Sequence, residues 1–168
     1  KVHIADFFAL PSLDQNYENG IFSLNVDLEN KADDDGYSIA YKILDKTGKS
    51  MAEESKTLRL VNAKESVSFA ERTIAGVKKW SAEEPNLYTL SIELKDAAGK
   101  IVEATAIQIG FRTAEVKNKQ FLINGQPVLV KGVNIHEHNE FTGHYVTEEL
   151  MRKDFELFKK YNVNTART

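Results

Sequence analysis

Ile21-Phe22-Ser23-Leu24-Asn25-Val26-Asp27-Leu28-Glu29 decides the fold of the first two-thirds of this chain. Its period is two, so Phe22, Leu24, Val26 and Leu28 line one side of a strand while Ser23, Asn25, Asp27 and Glu29 line the other. Such a strand lies on a core with one face and meets water with the other. Working outward, similar short alternating segments run over His3–Ala9, Tyr37–Leu44, Met51–Leu60, Ser66–Thr73, Tyr88–Lys95 and Ile101–Phe111. The breaks between them carry turn residues: Asn19-Gly20, Asp35-Gly36, Lys46-Thr47-Gly48-Lys49 and Ala97-Ala98-Gly99-Lys100. About seven strands in about 110 residues fit an immunoglobulin-like β-sandwich.

The single tryptophan, Trp80, precedes the loop Ser81-Ala82-Glu83-Glu84-Pro85-Asn86-Leu87. It is expected to anchor the core, with exposed stacking on a sugar as the alternative. Tyr88, which opens the next strand, is placed to act as a corner tyrosine that hydrogen-bonds back to the loop backbone. The run Asp33-Asp34-Asp35-Gly36 invites a calcium-loop reading, but in that register positions one and twelve would be Lys31 and Lys42. Cations there exclude it, and a solvated hairpin turn is expected.

After Arg112 the texture changes. Glu115–Lys119 reads as a polar connector, and Phe121–Leu129 as a hairpin turning at Asn124-Gly125. Val128–Val133 is almost continuously apolar, as in a parallel strand buried on both faces. Thr147 can cap a helix with Glu148 and Glu149 in its first turn and Lys159 and Lys160 in its last. Leu150, Met151, Phe155, Leu157, Phe158 and Tyr161 recur at three- and four-residue spacing, so one side is expected to lie on a sheet. Strand, helix and Asn164-Thr165-Ala166-Arg167 make a βαβ unit. The expected division is residues 1–113, the sandwich, and 114–168, the hairpin and the start of a barrel.

The whole chain has 168 residues, 42% of them hydrophobic, enough for a real core. Its 22 basic and 25 acidic residues are interspersed, so no basic stripe offers a phosphate backbone a partner, and no nucleic-acid partner is expected. No apolar run reaches membrane-spanning length, and no membrane partner is expected. The absence of cysteine removes disulfides, thiolate metal sites and a cysteine nucleophile. The first residue is Lys1, with no methionine and no targeting segment, and the natural N-terminus is expected to lie upstream.

On a parallel barrel, chemistry sits where strands end and loops begin. His136, Glu137 and His138 follow the first such strand, and Arg167 ends the second, so an imidazole and a guanidinium can approach one another there. That pair suits a hydroxyl-rich or anionic ligand; the alternatives are a structural hydrogen-bonding histidine and an arginine in a salt bridge. A cupin-type metal site fails on spacing, and nothing fixes His144 as a third zinc ligand, so no metal is assigned. Glu137 and Glu140 lie three residues apart on one loop, whereas a retaining glycosidase pair flanks the scissile bond about 5 Å apart. They are rejected as that pair.

Trp80–Tyr88, Gly110-Phe111-Arg112, Leu122–Pro127, Lys131-Gly132-Val133-Asn134-Ile135-His136-Glu137-His138 and Asn162–Arg167 together resemble glycoside hydrolase family 2, most of all its bacterial β-galactosidases. The resemblance is specific from Trp80 to Thr168; before that it covers only a sandwich preceding a barrel. It implies a polypeptide with a jelly-roll domain, an immunoglobulin-like domain and a catalytic (β/α)8 barrel that hydrolyses terminal β-glycosides with retention. This chain would then be the middle domain plus the first βα unit of an incomplete barrel. The resemblance makes His136 a contact to sugar hydroxyls, Arg167 a support from the second strand, and Asn134 and Glu137 supporting residues. The catalytic glutamates of the family come from later strands, so no catalytic residue is assigned, and the chain by itself is expected to be inactive.

No cofactor is expected in this chain, and a divalent cation such as Mg is an option for the complete enzyme. The expected partner is a β-galactoside in the parent, with self-association through the incomplete barrel segment as a further option. Location stays open between bacterial cytoplasm and periplasm. Two other readings remain: a stand-alone sandwich module binding carbohydrate or protein, and a β-glucuronidase or β-mannosidase parent.

Overall fold

A computed structural model describes residues 2–30, 36–59 and 63–168. The Asp33-Asp34-Asp35 run and Leu60, the last residue of one expected strand, lie outside the described residues.

The alternating segments form two antiparallel sheets. One has the order β1-β2-β5, from β1 (Val2–Leu13), β2 (Gly20–Asn30) and β5 (Lys64–Ile74). The other has the order β4-β3-β6-β7, from β3 (Ser38–Leu44), β4 (Ser50–Thr57), β6 (Tyr88–Lys95) and β7 (Ile101–Ile109). This is the immunoglobulin-like sandwich. Phe22, Leu24, Val26 and Leu28 of β2 are each at most 1% exposed, and they meet Ile39, Tyr41 and Ile43 of β3 and Leu90, Ile92 and Leu94 of β6. Each such side chain contributes roughly 1.5–3 kcal/mol by leaving water. Tyr41 stands at the centre, 4.9 Å from Phe69 edge-on and 5.2 Å from Phe22.

The turns follow from short polar side chains. Asp45 Oδ1 accepts from the N–H groups of Thr47 and Lys49 at 2.8 and 3.0 Å, and Asp96 Oδ1 does the same for Ala98 and Lys100 at 3.0 and 2.9 Å. Asn19-Gly20 departs from expectation. Gly20 is the first residue of β2, not a turn residue, and a Cβ there would lie 2.8 Å from the Phe111 ring and 2.9 Å from Val77. It is glycine for space.

Tyr88 behaves as the corner tyrosine: it is buried, and its hydroxyl accepts from the Lys78 N–H at 2.7 Å. Trp80 does not anchor the core. It is only half-buried, its ring covered by the Arg112 guanidinium at 4.6 Å, and it borders an open groove with Phe8, Leu87 and Ile107. Phe111 takes the buried position instead, edge-on to Tyr88 at 5.3 Å.

The expected connector is in fact a strand and a turn. β8 (Ala114–Lys117), β9 (Gln120–Ile123) and β10 (Gln126–Pro127) form a small sheet in the order β10-β9-β8. Both turns have two successive left-handed residues, Asn118-Lys119 (φ 52° and 63°) and Asn124-Gly125 (φ 52° and 74°), as tight hairpins require. Polar composition hid the first of these.

The chain divides into two compact units, Lys1–Val116 with Leu122–Gln126, and Lys117–Phe121 with Pro127–Thr168. Within the second, β11 (Gly132–Asn134) pairs in parallel with β12 (Thr165–Arg167), and α1 (Glu148–Lys160) connects them. Thr147 caps α1 by accepting from the Leu150 N–H at 3.4 Å. Two expectations are corrected here. The apolar run from Val128 yields a strand of three residues, with Leu129 76% and Val130 53% exposed. Nor has α1 any fully buried residue, and Met151, Phe155 and Leu157 are exposed. A two-stranded ladder is too narrow to cover an apolar helix face.

Candidate functional site

The site is built where β11 and β12 end. Their register places Gly132 beside Thr165, Val133 beside Ala166 and Asn134 beside Arg167. Neighbouring strands lie about 4.8 Å apart and side chains alternate, so Asn134 and Arg167 project side by side from one face. The ladder continues one step, since the Ile135 N–H donates to the Arg167 carbonyl at 2.8 Å. That bond holds the start of the loop carrying His136 against the end of β12.

Asn164 sets this register, a role the sequence reading did not assign. Its Oδ1 accepts from the Lys131 N–H at 2.9 Å, its Nδ2 donates to the Leu129 carbonyl at 2.9 Å, and its own N–H donates to the Lys131 carbonyl at 3.1 Å. One side chain thereby gives the incoming backbone at Leu129–Lys131 partners it would otherwise lack. An asparagine immediately before a short strand was the only available signal.

Beyond Ile135 the loop is closed by side chains. The His144 ring lies 5.3 Å from that of His136 and 5.4 Å from that of His138. His144 Nδ1 lies 3.3 Å from the Glu137 carbonyl. His136, Glu137, His138, Asn134 and Arg167 are all exposed, and among the described residues no ion pair engages the Arg167 guanidinium. The structure therefore brings Asn134 together with Arg167, and His136 with His138 and His144. Among the described residues no group of three or more His, Asp or Glu side chains is arranged to hold a metal ion.

Residues 2–112 match the family described as Glycosyl hydrolases family 2, and residues 114–168 match its TIM barrel domain. The chain belongs to glycoside hydrolase family 2. Among curated family members it is 37% identical over 171 residues to the beta-galactosidase of Priestia megaterium, covering 100% of this chain and 16% of that protein. It is also 37% identical over 172 residues to the beta-galactosidase of Photobacterium profundum, covering 98% of this chain and 16% of that protein. The chain thus spans about a sixth of the length of these relatives. Among solved structures, the β-glucuronidase of Bifidobacterium dentium complexed with coumarin-3-O-glucuronide matches at a TM-score of 0.84 and 29% identity, over 100% of this chain and 27% of that one. The β-glucuronidase of Parabacteroides merdae shares the fold at the same TM-score and 24% identity, over 99% of this chain and 21% of that one. In family 2 terms, β1 to β7 form the sandwich, and β11, α1 and β12 form the opening βα unit of the TIM barrel domain, so the loop after β11 is a barrel loop on the strands' carboxyl ends. Among the described residues no helix is long and apolar enough to cross a membrane.

Proposed function

We propose that this chain serves a retaining β-galactosidase that hydrolyses terminal β-galactosides. Residues 1–113 would be its immunoglobulin-like domain and residues 114–168 the opening of its catalytic barrel. The observation that carries the galactoside reading is the 37% identity, across essentially the whole chain, to the β-galactosidases of Priestia megaterium and Photobacterium profundum. In this reading His136 hydrogen-bonds sugar hydroxyls, and Arg167, beside Asn134, supports the pocket from the second strand. Asn134 and Glu137 line the same end of the strand pair. Exposed polar groups at adjacent strand ends suit a ligand rich in hydroxyls, because each hydroxyl both donates and accepts.

The chain by itself supplies no acid/base and nucleophile pair in this reading. Retaining hydrolysis needs two carboxyl groups about 5 Å apart across the scissile bond. The 168-residue chain is expected to leave a chromogenic β-galactoside uncleaved above a blank. Turnover by it that Glu137→Gln abolishes would overturn this account. A complete family 2 enzyme carrying the segment should cleave a β-galactoside faster than a β-glucuronide. The reverse order would make the parent a glucuronidase, with Arg167 facing a uronate carboxylate. The complete enzyme would take a divalent cation such as Mg.

One observation favours a second reading, a carbohydrate-binding sandwich module: Trp80 lies half-exposed on an open groove beside Arg112. Sugar binding that survives deletion of residues 134–168 and is lost in Trp80→Ala would establish it.

A further inference from the structure

His144 touches three consecutive residues of the loop after β11. Its ring lies against His136 with an interplanar angle of 33°, and against His138 edge-on at 73°. Between those two contacts its Nδ1 meets the Glu137 carbonyl. A carbonyl oxygen only accepts, so Nδ1 donates in this contact.

His144 is itself held by the turn before it. Asn139 and Gly143 exchange two backbone hydrogen bonds, at 2.8 and 2.9 Å. Asn139 Oδ1 accepts from the N–H groups of Phe141 and Thr142 at 2.9 and 3.1 Å, and the Thr142 hydroxyl donates to the Tyr145 carbonyl. These bonds fold the chain back so that residue 144 lies over residues 136–138. The loop is a clasp whose tongue is an imidazole.

We propose that His144 is a positioning residue for His136, holding its imidazole in one orientation by ring stacking and by the bond to the Glu137 carbonyl. This rests on the reading of His136 as a sugar contact. An exposed histidine samples several rotamers, and a ligand that needs one of them must first order the ring. Ordering in advance removes that cost, which corresponds to roughly two- to tenfold in affinity for one side chain. Because the benefit falls on binding, it enters KM more than kcat.

The test begins with the histidine ring resonances of the 168-residue chain by NMR. His144→Ala should shift the ring signals of His136 and His138 while leaving the backbone amides of β11 and β12 in place. His144→Phe, which keeps a ring but no Nδ1, should restore most of the His136 shift. Should His144→Ala disturb the fold, His144→Phe and Asn139→Ala give the comparison, the second releasing the clasp without touching the rings. Ring signals of His136 indifferent to every one of these changes would overturn the proposal. In a complete family 2 enzyme carrying the segment, His144→Ala should raise KM for a chromogenic β-galactoside roughly two- to tenfold with kcat less affected, and His144→Phe should recover part of it. Ring signals that respond to His144, combined with catalysis untouched by His136→Ala, would keep His144 as the orienting group and remove His136 from the sugar site.

Discussion

Two tyrosines in the sandwich core should respond with opposite sign to the same substitution. Tyr88 and Tyr41 are 5% and 2% exposed, and each packs edge-on against a phenylalanine, at 5.3 Å and 4.9 Å. Their hydroxyls differ. Tyr88 accepts from the Lys78 N–H at 2.7 Å, whereas the Tyr41 hydroxyl is buried with no partner at hydrogen-bond distance among the described residues. Burial pushes the Tyr41 phenol up, only partly countered by Arg72, whose Nη1 donates to the Glu53 carbonyl at 2.8 Å. A typical hydrogen bond contributes about 1 kcal/mol net, while an unsatisfied buried polar group costs roughly 1–3 kcal/mol. Tyr88→Phe should therefore lower unfolding stability by about 1 kcal/mol, and Tyr41→Phe should raise it by about 1 kcal/mol. In a unit of this size the pair would be separated by roughly 8 °C in Tm. Urea unfolding followed by Trp80 fluorescence is the assay, since the only tryptophan lies in the sandwich unit. Tyr41→Phe destabilised as much as Tyr88→Phe would refute the reasoning, because it would mean that the Tyr41 hydroxyl is bonded.

Gly20→Ala should cost roughly 1–3 kcal/mol in the same titration, since its Cβ meets Phe111 and Val77 inside van der Waals distance. Asn124→Ala removes the side-chain bonds to the Thr113 N–H and the Trp80 carbonyl and forces alanine to φ 52°, for a loss of about 2–3 kcal/mol; Asn124→Gly keeps the backbone and should lose less. Asp14 is held below its ordinary 3.8 chiefly by the Glu18 N–H, and Asp45 chiefly by the Thr47 hydroxyl. Their contribution is present above about pH 4 and lost as pH falls through the lowered folded values, so Asp45→Ala should flatten the acid limb of a stability profile below about pH 4. In a demonstrated monomer, amides of β11, β12 and α1 should exchange at least about tenfold faster than those of β2, β3 and β6. Equal protection would show that β11–β12 pairing alone suffices.

The sandwich was legible because its signal is local and repeated. Phe22, Leu24, Val26 and Leu28 can share a face only in an extended chain, and the segments around them repeat that pattern between polar turns. Tyr88 was legible for a related reason: a tyrosine at the start of a strand after a long loop has a backbone donor within reach. Trp80 misled because size alone pointed inward. Arg112 offered its ring a cation to stack against, and Phe111, one residue away and without a polar atom, took the interior at lower cost. Gly20 misled in the other direction, since a glycine after asparagine reads as a turn from composition, and only the position of the Phe111 ring reveals that the space is already filled.

The second unit inverts that relation between pattern and burial. Val128–Val133 and the apolar positions of α1 carry the sequence signature of a doubly covered parallel strand and its helix, yet Leu129, Val130, Phe155 and Leu157 are exposed. Hydrophobic patterning records the surface a segment is selected to bury, whereas exposure in this chain records only what its described residues can cover. A βαβ unit buries its strand when further strands flank it and helices cover both faces. The mismatch therefore carries information about assembly: the apolar face of α1 and the run before β11 are built for neighbours. The family assignment supplies one identity for those neighbours, further strands of a TIM barrel domain. A second copy of this chain is the substitute that sedimentation of the isolated 168 residues would detect. The polar end of the same unit behaves differently. Asn164, the Asn134–Arg167 register and the His144 clasp are all satisfied within residues 129–167. On the proposed function, substitutions in the locally hydrogen-bonded set should change binding and those in the exposed apolar set should change folding.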